Sequence, residues 1–249
     1  MWAKMAGRTL AALDTANSEA DAFDILVDYA CAMGAELVSY HHVAPPFARP
    51  DGEPARENLT LLARGFPESW VEQYRTRKLH RIDPITSFAA YQTRPVRWSV
   101  IPQRVTLTPA QKGYLDDLYA WLAPGDGMAV PLFGPSGRHG YAGIGRTSPE
   151  APWSAAQERT VQAVCEAFHL RFCEIRLAGL DKDFELTERE ARILSAMSRG
   201  WSDPMIGATV GLRPDPLRSA IKRLLIKMGV LDRPSAVLRA RALGLTDAD

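Results

Sequence analysis

Arg213, Arg218, Lys222, Arg223, Lys227, Arg233, Arg239 and Arg241 crowd the end of the chain, opposed over the same stretch by Asp215 and Asp232. A local excess of cations attracts a polyanion even though all 249 residues together carry a formal charge of only +1. A second set, Phe66, Trp70, Tyr74, Asp83 and Trp98, offers aromatic rings, two indole N–H groups, a phenol and a carboxylate. Each feature also has a plainer reading: aromatics spaced by four pack a helix, and Asp83 before Pro84 caps one.

Catalysis is not indicated, because no nucleophile–base pair, metal cluster or cofactor fingerprint stands out, so the expectation is a non-enzyme without metal or cofactor. Cys31, Cys165 and Cys173 lack metal-ligand spacing and read as buried, reduced thiols. His41 and His42 fall in one predicted strand, where alternation lets at most one point inward, and they read as structural histidines with satisfied partners. A composition that is 46% hydrophobic supports real cores. No apolar run is long enough to span a bilayer, so a cytoplasmic protein without membrane insertion is expected.

The cations need helices to position them. Thr187 and Glu190 form a capping-box pattern, Ile193, Leu194 and Met197 share a face, and Gly200 stops that helix. A short second helix turns Met205, Ile206 and Val210 inward and ends at Gly211. The third, over 217–228, buries Leu217, Ala220, Ile221, Leu224, Leu225 and Met228 and leaves Arg218, Ser219, Lys222, Arg223 and Lys227 outside. Asp215 is its expected cap and Pro216 its first residue. Two helices joined by a tight glycine-containing turn, the second with a cationic face, match a helix-turn-helix.

The longer N-terminal part mixes element types. Helices are predicted at 3–13 and 19–33, strands at 36–43 and 59–64, and a proline-rich loop lies between the strands. Further helices are predicted at 68–75, after Asp83 and after Thr108, followed by a hairpin of 127–133 and 140–145 turning at Pro135-Ser136-Gly137. Ser154 with Gln157 starts a long helix to about 176. The glycines of 140–145 either leave room for a ligand or serve a twisted hairpin.

The C-terminal pattern resembles the DNA-binding domain of LuxR-type transcriptional regulators, through Leu186-Thr187, Arg189-Glu190, Leu194, Gly200, Ile206, Val210-Gly211-Leu212, Lys227-Met228-Gly229-Val230, Arg233 and Ala236-Val237. It departs from that pattern at Arg213, where a serine cap is usual, and at Pro216-Leu217, where a threonine–valine pair is usual. Trp70, Tyr74, Asp83-Pro84 and Trp98 resemble the autoinducer-binding domain of the same family. There Phe66 replaces a frequent tyrosine, and Leu79 a frequent aromatic. The resemblance implies an α+β chain: an N-terminal α-β-α sandwich with an antiparallel sheet at 1–177, a linker at 178–185, and an all-α helix-turn-helix domain at 186–249. It implies that Trp70 donates to the lactone carbonyl of an N-acyl-homoserine lactone, that Asp83 accepts its amide N–H, and that Tyr74 and Trp98 wall the site.

The resulting expectation is a ligand-responsive, homodimeric regulator that binds a small-molecule autoinducer and a double-stranded DNA operator. Arg218 and Lys222 are placed at base edges, with Ser219 beside them, and Arg223, Lys227 and Arg233 at phosphates. The alternative is an anti-activator, acting through heterodimers because Arg213-Pro214-Asp215-Pro216 weakens DNA reading.

Overall fold

The computed structural model describes residues 2–43, 59–135, 138–148, 153–180, 186–243 and 245–246. The proline-rich loop expected between the first strands, Ser136 and Gly137 of the expected turn, and 181–185 of the expected linker lie outside the described residues. The described residues divide into two compact units, the first chiefly of 2–42, 59–134 and 139–175 and the second chiefly of 176–180 and 186–243.

The first unit runs α1 (Trp2–Thr15), α2 (Glu19–Ala32), β1 (Leu37–Val43), β2 (Leu59–Arg64), α3 (Glu68–Thr76), α4 (Pro84–Ala89), β3 (Val96–Arg97), α5 (Pro109–Leu122), β4 (Asp126–Phe133), β5 (His139–Arg146) and α6 (Ala155–Leu180). Local chemistry fixes several of these ends. Ser18 caps α2, Thr108 and Gln111 make a reciprocal capping box on α5, and Gly34 supplies the left-handed residue after α2. Arg146 then donates to the carbonyls of Met33 and Gly34, satisfying acceptors that the end of α2 leaves open. The helix α6 reaches Leu180, so 178–180 of the expected linker are helical.

The strands form one sheet in the order β2-β1-β5-β4-β3, with β3–β4 and β4–β5 antiparallel and Met128 opposite Ile144. Alternation along the strands sends side chains to two separate cores. Val38, Tyr40, Met128, Val130 and Ile144 pack with Phe23, Leu26, Phe168 and Phe172 of the helices α2 and α6. Leu37, Ala129 and Tyr141 pack on the other face with Trp70, Tyr74, Ile85, Leu115 and Leu118 of α3, α4 and α5. This is an α-β-α sandwich. Because both faces are covered, His41 and His42 are both buried, on opposite sides, and the rule that one of them must face outward fails.

In the second unit α7 (Glu188–Ser198), α8 (Asp203–Val210), α9 (Pro214–Lys227) and α10 (Arg233–Ala242) enclose a core that includes Ile193, Leu194, Ile206, Leu217, Ile221, Leu224, Met228 and Ala236. The Thr187–Glu190 capping box and the left-handed Gly200 and Gly211 fall where sequence placed them. Three expectations need correction. The helix α9 starts at Pro214 with Arg213 as its N-cap, not with Asp215 as cap, because prolines at its first and third positions need no backbone donor in a first turn. Met205 is exposed, as is Cys31 in the first unit. Sequence also left α10 unassigned.

Candidate functional site

A small cavity lies between the sheet and the helices α3, α4 and α5, lined mostly by aromatic and aliphatic side chains with a few polar groups among them. All five sequence-derived ligand candidates border this region: Phe66, Trp70, Tyr74, Asp83 and Trp98 line it. Phe66 precedes α3 rather than belonging to it, since Pro67 is the N-cap. The three aromatics do not simply stack on one another. Phe66 and Trp70 pack on Trp121, and Trp70 and Tyr74 on Tyr114, so the far wall is α5.

Asp83 does both things that sequence offered as alternatives, capping a helix and facing a cavity. Its Oδ1 accepts from the amides of Ile85 at 2.8 Å and Thr86 at 3.4 Å, which starts α4. Its Oδ2 accepts the Tyr74 hydroxyl at 2.8 Å, and Tyr114 also hydrogen-bonds the carboxylate. Burial raises the carboxyl pKa, and these hydrogen bonds pull against the rise. The same burial, with the Asp83 charge nearby, pushes the Tyr74, Tyr114 and Tyr141 hydroxyls well above their ordinary value, so all remain donors at neutral pH.

Trp98 is a wall residue held from three directions. Its neighbours Arg97 and Ser99 both bind Asp126, the guanidinium at 2.7 and 3.0 Å and the Ser99 hydroxyl at 2.7 Å. Its indole N–H donates to the Tyr141 hydroxyl at 3.0 Å. The ring lies over glycines: a Cβ on Gly127 would come within 2.6 Å of it, on Gly145 within 2.9 Å and on Gly143 within 3.1 Å. The small residues of the hairpin therefore make room for Trp98, which neither reading of them anticipated.

Sequence reasoning missed Ser39, His41, Tyr114 and Tyr141, which also line the cavity. The alternation of β1 pairs Ser39 with His41 on one face, but nothing local said that this face meets a cavity. Burial pushes the His41 pKa down to about 3, helped by His80, so the ring is neutral. Its Nδ1 has no hydrogen-bond partner among the described residues, against the expectation of a satisfied histidine. No cluster able to hold a metal ion occurs among the described residues, and none of their helices is long and apolar enough to cross a membrane.

In the second unit Arg218, Ser219, Lys222, Arg223 and Lys227 are exposed on α9, the outward face expected. Several cations are engaged within the unit. Lys227 Nζ lies 2.7 Å from Glu190, Arg233 bonds Asp203, and Arg218 lies 3.2 Å from Asp215 on its own helix. Burial tends to raise the Glu190 pKa, but bonds from Lys227 and Thr187 carry it below the usual value.

Residues 18–172 match the family described as the autoinducer binding domain. The chain belongs to the LuxR-type family of autoinducer-binding transcriptional regulators. Among relatives of this LuxR-type chain, the transcriptional activator AhyR of Aeromonas hydrophila is 25% identical over 198 residues, covering 74% of this chain and 73% of that one. The activator PhzR of Pseudomonas fluorescens is 24% identical over 210 residues, covering 80% and 78%. Escherichia coli SdiA shares the fold with a TM-score of 0.70 at 16% identity, over 98% of this chain and 99% of that one. SdiA in complex with octanoyl-rac-glycerol gives 0.68 at 14% identity, over 98% and 96%.

Proposed function

We propose that this LuxR-type chain is a ligand-responsive transcriptional regulator whose first unit binds an N-acyl-homoserine lactone or a related amphipathic signal and whose second unit binds a double-stranded operator. The observation that carries the reading is the buried aromatic cavity in which Trp70 and Asp83 stand together. Trp70 lines the cavity, and its indole N–H is the donor assigned to the lactone carbonyl. Asp83 takes the ligand amide. A carboxylate has about four acceptor positions, and Tyr74, Tyr114, Ile85 and Thr86 already use them, so the ligand amide replaces one hydroxyl or the long Thr86 contact. Ligand completing this core favours the folded, dimeric state by mass action.

Arg218 and Lys222, one turn apart, then meet base edges, with Ser219 and Arg223 nearby. Lys227 and Arg233 reach phosphates only by leaving Glu190 and Asp203. A second reading, heterodimerisation with a related activator in place of DNA reading, draws on those ion pairs and on the Asp215 carboxylate at the start of α9. Mass spectrometry of molecules retained by protein from cells fed acyl-homoserine lactones, with a monoacylglycerol as competitor, tests the ligand. A retained lactone supports the reading; empty protein that is folded and soluble opposes it. Salt-dependent duplex binding separates the two DNA readings.

A further inference from the structure

His41 is a polar side chain of the cavity that the lactone reading leaves unused. It is 6% exposed and borders the cavity, and its buried Nδ1 lacks a partner among the described residues. Two rings fix its orientation. Tyr74 lies edge-on at 5.2 Å and 88°, and Tyr141 at 5.1 Å and 86°. The Tyr74 hydroxyl is committed to Asp83, and the Tyr141 hydroxyl receives the Trp98 N–H. A neutral imidazole keeps one N–H and one lone pair, so either tautomer serves an oxygen atom as donor or acceptor. Buried polar atoms are rarely left unpaired, and one bordering a cavity marks where a ligand atom supplies the missing bond. The ring packs on Tyr74, whose hydroxyl touches Asp83. The Tyr74 ring thus stands between the Asp83 carboxylate and His41, and all three line the same cavity.

We infer that His41 is a specificity-determining residue that hydrogen-bonds an oxygen substituent, hydroxyl or carbonyl, on the acyl chain near the amide, so that the signal is an oxygenated acyl-homoserine lactone rather than a plain one. This rests on the lactone reading above.

The test is titration of the full chain with plain, 3-hydroxy and 3-oxo lactones of one chain length, for wild type, His41→Phe and His41→Asn. Wild type binds at least one oxygenated ligand roughly five- to tenfold more tightly than the plain one, the worth of about one hydrogen bond. His41→Phe brings that ratio to about one while keeping affinity for the plain lactone, and His41→Asn, which retains a donor and an acceptor, keeps part of the preference. Equal binding of all three by wild type, or a preference that survives in His41→Phe, overturns the assignment and leaves the lactone reading standing. Should His41→Phe not fold, His41→Leu takes its place, and a preference for the oxygenated ligand that survives in it counts against the assignment equally. Failure of all three to bind folded wild type overturns both.

Discussion

Tyr74 donates its hydroxyl to Asp83 Oδ2 over 2.8 Å, in a site where the other carboxylate oxygen is already holding the first turn of α4. The carboxylate thus joins the helix start to the aromatic wall, and any ligand that uses it competes with groups the fold itself supplies. Asp83→Ala removes the cap, at about 1 kcal/mol, and strands buried hydroxyls at about 1–3 kcal/mol each. Urea unfolding should show that loss without ligand, and the stabilisation that a bound lactone gives wild type should vanish. A full ligand-induced shift in a destabilised Asp83→Ala protein would remove the carboxylate from the ligand site and leave it structural.

Trp98 over Gly127 and Gly145 gives a prediction independent of any ligand. Gly127→Ala sets a Cβ within 2.6 Å of the indole. The ring must move, at a cost of about 1–3 kcal/mol for overpacking, and the near-ultraviolet circular dichroism should change with it. Gly113→Ala on α5 is the matched control, because its Cβ meets nothing within 4 Å and helix propensity favours alanine by about 0.5–1 kcal/mol. Equal stability changes in the two variants would mean that the glycine is not there for Trp98.

What could be read from sequence was chemistry confined to one turn of chain: the Thr187–Glu190 capping box, the Asp83 cap, the glycine stops and the alternation of the hairpin strands. The cavity was only half legible. Trp70, Tyr74 and Asp83 sit close in sequence and carried a family resemblance, whereas His41, Tyr114 and Tyr141 reach the site from β1, α5 and β5 and only the sheet order brings them there. Lys227 illustrates the same limit, since its partner Glu190 is 37 residues away and a helix-face argument about α9 has no access to it.

His41 also predicts a pH dependence. Its folded pKa of about 3 lies below the ordinary 6.5, so between those values the unfolded chain binds a proton that the fold refuses. Stability falls as the pH drops through 6.5 towards 3, by at most about 1.4 kcal/mol per pH unit from this residue. Asp83 acts in the opposite sense, its raised pKa favouring the fold as acid is added, but it is common to both proteins compared. His41→Phe should therefore have a flatter acid limb than wild type in urea unfolding at a series of pH values. Parallel limbs would place His41 in a solvated or charge-paired setting.

Asp215 and Arg218 form an exposed pair at 3.2 Å near the start of α9, where a recognition helix presents its first turn to DNA. Asp215→Asn removes a carboxylate that repels phosphate and releases the guanidinium, so duplex binding should strengthen and its logarithmic salt dependence steepen by roughly one phosphate contact, about 0.9 in slope. Arg218→Ala should weaken operator binding by about 1–3 kcal/mol more than binding to random duplex, the discrimination expected of a base contact. Lys227→Ala should act mainly on folding of the second unit, by at most about 1 kcal/mol, because Glu190 holds its partly exposed ammonium. Fluorescence anisotropy with operator and random duplexes at two salt concentrations resolves these outcomes. Equal losses on both duplexes for Arg218→Ala, with no gain for Asp215→Asn, would take α9 out of base reading and favour regulation through heterodimers.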